Sequence, residues 1–390
     1  MNAFGIGPNL YPLRLILPIV VLFFSVLLFQ KVVLLKQKVS LQPVLIFSLL
    51  YFLYLFFHTY IVTFFRYTLF AYDYEFTSIL NFTFLLVLIF ALYNAFLSNR
   101  DRFFKVFNQI TLVFYILYAL YAFYEIFTGN HLSTSVLFDA PYWLTYSPTV
   151  VYFNSNDFAS IFTLMFMYLL STLDKEKKQS MIWLFAAVAI HLLIVYYSQS
   201  RISLVVSLIY LLYRYPIKLA SISVIGIFII FIGVIFLEPN WYMQALDSFK
   251  ELKTDLLFSD RQSTSIRLFL YKHSLLSIFS SYGMGYGIDY SLQYFQTIND
   301  PNLSHIVNPH SYIFEILINS GVLAVLGYIL LNTYLVFISW THKDFDLSIQ
   351  IVLFNLLLFS SSSSLFIWTI YLFIFIYICK TAQYQLSTKN

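Results

Sequence analysis

The sequence predicts an all-α polytopic integral membrane protein with about eleven transmembrane helices (roughly 10–12) and one long helical extracytoplasmic loop. Three observations predict it. The chain is 60% hydrophobic and 10% charged, with a mean hydropathy of +0.79, whereas soluble domains carry about 25% charged residues. Its apolar runs are continuous rather than alternating, and a bilayer core needs about 20 helical residues, so helices are expected and not a β-barrel. Finally, Lys and Arg fall unevenly between the two sets of connecting loops, the signature of oriented spans.

The spans read as 11–30, 43–65, 76–97, 106–127, 156–173, 180–198, 202–214, 217–237, 312–340, 347–361 and 365–380. The first, Tyr11 to Gln30, lacks a basic leader and a small-residue cleavage site, so it reads as a span and not as a signal peptide. The seventh is short. The ninth is long enough to tilt or to begin outside the lipid. Three regions follow: an N-terminal bundle over 1–237 with about eight spans, a loop over 238–311, and about three C-terminal spans with a short tail over 312–390.

Orientation follows from charge. Fourteen basic residues share one side: Lys31, Lys36, Lys38, Arg100, Arg102, Lys105, Lys175, Lys177, Lys178, Arg214, Lys218, Lys343, Lys380 and Lys389. The short loops opposite hold only Arg66 and Arg201. Positive-inside sorting puts the fourteen in the cytoplasm, with the N-terminus and the long loop outside and the C-terminus inside. The loop itself carries Lys250, Lys253, Arg261, Arg267 and Lys272, but long loops cross largely regardless of charge.

Within the loop, Trp241, Ala245, Phe249, Leu252 and Leu256 recur at helical spacing among charges, an amphipathic surface helix. A second helix is expected from Thr264 to Ser280, ended by Gly283, Gly285 and Gly287. That Gly-Met-Gly-Tyr-Gly run reads as a tight turn. No βαβ unit surrounds it, so it is not a dinucleotide fingerprint.

Polar residues inside spans are costly and often functional. Arg14 can snorkel from its helix end. His58 and His191 read as hydrogen-bonded helix-packing residues, and Glu125 as interfacial at the outer end of the fourth span. Arg201 stands apart, because it opens the seventh span on a side poor in cations. A guanidinium there can bind phosphate bidentately, or snorkel, or pair with Asp157. Asp157 either caps the fifth span or joins a site. His310 follows Asn308-Pro309 at the entrance to the ninth span, in the surface layer. Arg267 lies on the second loop helix. Topology alone therefore puts Asp157, Arg201, Arg267 and His310 on one membrane face.

Other chemistries lack support. The seven His residues show no metal-ligand spacing. No Walker motif and no Gly-x-Ser-x-Gly elbow is present. Cys379, the single cysteine, excludes an internal disulfide and a Cys-based metal cluster. The 33 Tyr and 44 Phe fit sugar stacking or lipid-facing bulk. The net charge of +4 sorts by membrane side and does not suggest nucleic acid.

Several segments together resemble the O-antigen polymerase/O-antigen ligase superfamily (Wzy and WaaL types). They are Ser198-Gln199-Ser200-Arg201, Arg267 ahead of the Gly283–Gly287 turn, and the run from Asn308-Pro309-His310-Ser311-Tyr312 through Glu315 to Asn319-Ser320-Gly321-Val322. Asn154-Ser155-Asn156-Asp157-Phe158-Ala159 is similar to an Asn-x-Asn-x-x-Ala element of the teichuronic-acid and exopolysaccharide polymerase branch. The resemblance runs over roughly residues 150 to 375. Members commonly have His-Asn where this chain has His310-Ser311.

The resemblance implies a metal-independent, GT-C-like glycosyltransferase of the bacterial cytoplasmic membrane, without cofactor, active on the extracytoplasmic face. Its donor and acceptor would be glycans on undecaprenyl diphosphate, and a flippase and a chain-length regulator are implied as export partners. The implied catalytic residues are His310, Arg201 and Arg267. Arg261, Asp157, Asn156, Tyr312 and Glu315 join the two arginines in substrate binding. The residues fit independently: arginines can stabilise a diphosphate leaving group and His310 can serve as base. A ligase acting on lipid A core is the alternative, and the Asn-x-Asn-Asp segment favours the polymerase. A flippase or transporter would carry charges deep in several spans and paired broken helices, whereas the distinctive charges here share one face.

Overall fold

The computed structural model describes residues 42–70, 76–138, 146–173, 181–216, 263–288, 295, 309, 311–360 and 368–387. Every regular element among them is helical. In chain order these are α1 (Pro43–Phe70), α2 (Phe76–Ser98), α3 (Arg100–Thr128), α4 (Ser155–Leu173), α5 (Met181–Tyr197), α6 (Arg201–Arg214), α7 (Ser263–Ser280), α8 (Tyr312–Thr341), α9 (Phe345–Ser360) and α10 (Trp368–Ser387). Stretches within α1, α2, α3 and α8 are long and apolar enough to cross a membrane, and α5 and α9 contain shorter apolar stretches. The expected first and eighth spans and the amphipathic helix near Trp241 lie outside the described residues.

Local chemistry sets the helix ends. Asn99 caps α3, its side chain accepting from the Arg102 N–H at 3.0 Å. The helix stops at Gly129, whose φ of 67° is left-handed. Asn154 Oδ1 accepts from the Asp157 N–H at 2.8 Å and caps α4. Asp344 Oδ1 does the same for α9 through the Leu347 N–H, at 3.0 Å.

Packing is tightest around α8, which meets α1, α7, α9 and α10, and around α4, which meets α3, α5, α6, α9 and α10. Aromatic rings fill the space between them. Tyr115 of α3 stacks on Phe162 of α4 at 4.4 Å, and Tyr93 of α2 meets Phe375 of α10 edge-on at 4.7 Å. Much of the Phe and Tyr content is therefore core. An outward-facing set, including Phe57, Leu117, Phe127 and Leu330, stays exposed, as expected of helices that face lipid.

The two ends of the bundle can be told apart by their contacts. At one end the Val44 N–H meets Gln385 at 3.3 Å, Lys380 meets Ser171 at 3.4 Å, and Arg214 pairs with Asp346 at 2.8 Å. Arg100, Arg102, Lys105 and Lys343 belong to this end too. At the other end Thr59 of α1 meets Ser320 of α8 at 2.8 Å, and Tyr152, just before α4, meets Thr369 of α10 at 3.3 Å. Arg66, Arg201, Arg267 and Lys272 belong here. The described basic residues thus divide between the two ends as the loop assignment requires.

Candidate functional site

Arg201 is the first residue of α6. Gln199, with φ of 56°, turns the chain out of α5, and Ser200 in extended conformation starts α6. The Arg201 side chain is exposed and makes no ion pair or side-chain hydrogen bond among the described residues. The local peptide dipoles also make this end of α6 electropositive. Pairing with Asp157 is therefore not what the structure shows. Asp157 is buried, and its carboxylate accepts from Asn154 Nδ2 at 2.8 Å. Asp157 thus completes a reciprocal cap at the start of α4, with half-buried Asn156 beside it.

Arg267 is half-buried on α7. One turn later Tyr271 stacks on Phe314 of α8 at 4.4 Å. That contact docks the Arg267 helix onto the entrance of α8, next in sequence to Glu315. Burial pushes the Tyr271 phenol up, and the Arg267 charge beside it pulls the other way. Glu315 is 3% exposed and Tyr312 1%, the latter packed against Tyr328 and Tyr371. Both face the bundle interior and not an open cleft. His310 and Arg261 lie outside the described residues.

The glycine run does more than turn. Gly321 breaks α8, with φ of 81° and ψ of −177°, a conformation that is essentially glycine-only. The turn after α7 fills the break. The Tyr286 N–H donates to the Ile318 carbonyl at 2.7 Å, the Gly287 N–H to the Asn319 carbonyl at 2.9 Å, and the Val322 N–H to the Gly283 carbonyl at 2.9 Å. Thr63 Oγ1 of α1 accepts from the Ile288 N–H at 2.9 Å. Irregular backbone at membrane depth needs protein partners of this kind. The approach is so close that a Cβ on Gly285 would sit 2.6 Å from the Gly321 nitrogen. Arg66 covers the junction, its guanidinium 4.3 Å from the centre of the Tyr286 ring. The Gly283–Gly287 run and Asn319-Ser320-Gly321, far apart in sequence, are two halves of one clamp.

Glu125 corrects an expectation. It is fully buried rather than interfacial. Its carboxylate accepts from the Thr149 and Val150 N–H groups at 2.7 and 2.8 Å, and His131 Nδ1 lies 3.1 Å away. It thereby fixes the segment that leads into Asn154 and α4. Glu125→Ala would leave two buried N–H groups unpaired, at about 1–3 kcal/mol each. The expected result is a lowered melting midpoint of the purified protein, with Glu125→Gln intermediate because one acceptor remains.

The two span histidines differ. His191 Nε2 meets Ser207 at 2.9 Å, and the ring stacks on Phe166 at 3.8 Å. His58 packs at a tilt against Tyr54, ring centres 5.1 Å apart, and both of its ring nitrogens are buried without a hydrogen-bond partner among the described residues. Among the described residues no group of three or more His, Cys, Asp or Glu could hold a metal ion.

Comparison with known proteins adds two findings. Residues 184–329 match the model of the O-antigen ligase family. That range runs from α5 to the second half of α8. It takes in Arg201, Arg261, Arg267, the glycine clamp, His310, Tyr312 and Glu315, and leaves out Asn156 and Asp157. The chain is also 25% identical over 267 residues to the teichuronic acid biosynthesis protein TuaE of Bacillus subtilis strain 168, covering 65% of this chain and 54% of the relative. It thus spans about half the length of that relative. The motif order, the family match and this relative together support the chain's similarity to the O-antigen polymerase/O-antigen ligase superfamily.

Proposed function

We propose that this protein is a polysaccharide polymerase. It joins oligosaccharide repeat units carried on undecaprenyl diphosphate, at the outer face of the cytoplasmic membrane. The observation that carries this reading is that Arg201, Arg267 and the start of α8 lie toward the same end of the bundle, within the family-matched region. The charge division supports putting that end outside.

In the reaction an acceptor hydroxyl attacks the anomeric carbon of the donor. The new glycosidic bond forms as the bond to the diphosphate oxygen breaks, and the diphosphate lipid leaves with the electron pair. Arg201 and Arg267 bind the diphosphate and stabilise its growing charge. His310 takes the hydroxyl proton. Asp157 and Asn156 shape the donor side, Arg261 adds a cation, and Glu315 and Tyr312 line the entrance of α8. Apolar helix faces accommodate the polyprenyl chain.

A ligase reading, with transfer to lipid A core, is favoured by one observation: the matching family model is that of O-antigen ligases. A deletion strain separates the two. Single repeat units accumulating on the carrier mean a lost polymerase. Long polymer stranded on the carrier means a lost ligase. A transporter is disfavoured, because the break in α8 is filled by the chain's own turn and the exposed cation sits at a helix end.

Orientation has its own test. Asn130 is exposed beyond the end of α3, and Asp101 is exposed at its start. A cysteine at Asn130 should react with an impermeant thiol reagent in intact cells, and one at Asp101 only after the membrane is opened. The reverse pattern would invert the assignment.

A further inference from the structure

Ser311, Glu315 and Asn319 recur every fourth residue on the outer half of α8, so they share one stripe. All three are buried, at 0%, 3% and 5% exposure. Ser311 Oγ and Asn319 Oδ1 have no hydrogen-bond partner among the described residues. Two phenols join them. The Tyr371 hydroxyl of α10 is buried and unpartnered, near that of Tyr312 without meeting hydrogen-bond geometry. It also lies within electrostatic reach of Glu315. The Tyr51 hydroxyl of α1 is likewise unpartnered, and within electrostatic reach of Tyr371. Four orphan polar atoms are therefore distributed over the buried region between α1, α8 and α10, with Tyr371 in electrostatic reach of Glu315.

Such groups are costly in an apolar bundle, and native folds rarely leave them unpaired. Apolar residues of similar size would make a more stable core here. Polar groups kept at the expense of stability are characteristic of sites that serve a ligand. The place fits, because the stripe begins at the residue after His310 and ends at the break at Gly321.

We propose that the Ser311–Glu315–Asn319 stripe, with the Tyr51 and Tyr371 hydroxyls, is a subsite for a hydroxyl-rich ligand, the terminal sugars of the acceptor glycan. It rests on the glycosyl-transfer reading above. Sugar hydroxyls both donate and accept, so the hydroxyls along the end of a glycan can pair with the orphan hydroxyls and the orphan amide oxygen. The orphan atoms are shut from solvent in this structure, so entry requires the outer half of α8 to shift. The non-helical break at Gly321 separates that half from the rest of the helix.

The test uses the full-length protein in lipid nanodiscs. The probe is lipid-linked glycan extracted from a strain lacking this chain. Tyr371→Phe and Asn319→Leu remove orphan atoms with little change in shape. Each should leave the melting midpoint unchanged or raised by a few degrees. Each should also weaken glycan binding, read as the concentration giving half the ligand-induced shift in midpoint, by about tenfold. Unchanged glycan binding in both variants would overturn the proposal, whether stability rises or falls. So would a wild-type protein whose midpoint does not respond to the probe. Binding is read without turnover, so a protein that binds glycan through these residues but forms no polymer would sink the polymerase reading and leave the subsite standing.

Discussion

Gly321→Ala should remove most of the folded protein from the membrane. The residue combines a positive φ of 81° with ψ of −177°, and a side chain forced into that region costs about 1–3 kcal/mol. Its new Cβ would also lie 2.3 Å from the Gly283 carbonyl oxygen and 2.6 Å from the Met284 carbonyl carbon. Neither is a flexible side-chain end, so the clamp itself must open. Opening it exposes the Ile318, Asn319 and Gly283 carbonyls and three N–H groups in a place without water. Against a total stability of about 5–15 kcal/mol, such a loss is decisive. Gly283→Ala is the graded control. Its φ is 75°, but its Cβ would meet only Val322 Cγ2 at an ordinary 3.7 Å, so a far smaller loss is expected. Membrane-fraction yield and melting midpoint read both. Equal tolerance of the two substitutions would show that the close approach of turn and helix is not there.

Arg201→Ala and His310→Ala should each abolish polymer in cells while the protein still inserts and accumulates. Arg201 is exposed and uncommitted, so its loss removes no structural contact and should cost little stability. What it removes is stabilisation of the leaving diphosphate, an effect worth about 10²–10³ in turnover where one such donor is deleted. Arg201→Lys keeps the charge and loses the planar fork, so strong impairment is still expected. Loss of a general base costs about 10²–10⁴-fold, the magnitude expected for His310→Ala. Asp157→Asn should do less, since much of what Asp157 does is to complete the Asn154 cap. Turnover measured with lipid-linked donor, beside expression level, decides. Normal polymer from both Arg201→Ala and His310→Ala at normal expression would end this site assignment and leave the family resemblance as one of fold.

The sequence was most legible where one-dimensional pattern carries the physics. Long apolar runs must be helices in lipid, because each backbone group needs a partner within its own segment. The expected stretches 43–65, 76–97, 156–173 and 312–340 correspond to helices at Pro43–Phe70, Phe76–Ser98, Ser155–Leu173 and Tyr312–Thr341. The second loop helix, expected from Thr264 to Ser280, runs Ser263–Ser280. The largest shift of a helix start is at α3, expected from 106 and starting at Arg100. There an Asn99 cap and a polar first turn extend the helix beyond its apolar stretch.

Side-chain environments were far less legible. Glu125 near a helix end looks the same in sequence whether it meets water or buried N–H groups. The partners that decide it, Thr149 and Val150, lie more than 20 residues away. Tyr312 and Glu315 follow His310 at a helix entrance that reads as surface in sequence, yet both are buried between helices. The orphan hydroxyls of Tyr51 and Tyr371 are invisible in sequence, since any tyrosine in an apolar run reads as bulk.

The sequence by itself determined the membrane-spanning helical character of this chain, the division of its charges and, through motif order, its family resemblance. Each depends on local composition or on spacing along the chain. Only the tertiary structure decided that the glycine turn and Gly321 form a single clamp, that Glu125 is buried and that Arg201 is uncommitted. Those outcomes depend on backbone hydrogen bonds and atomic approach between segments far apart in the chain. Residue type does not encode such contacts until packing brings the segments together.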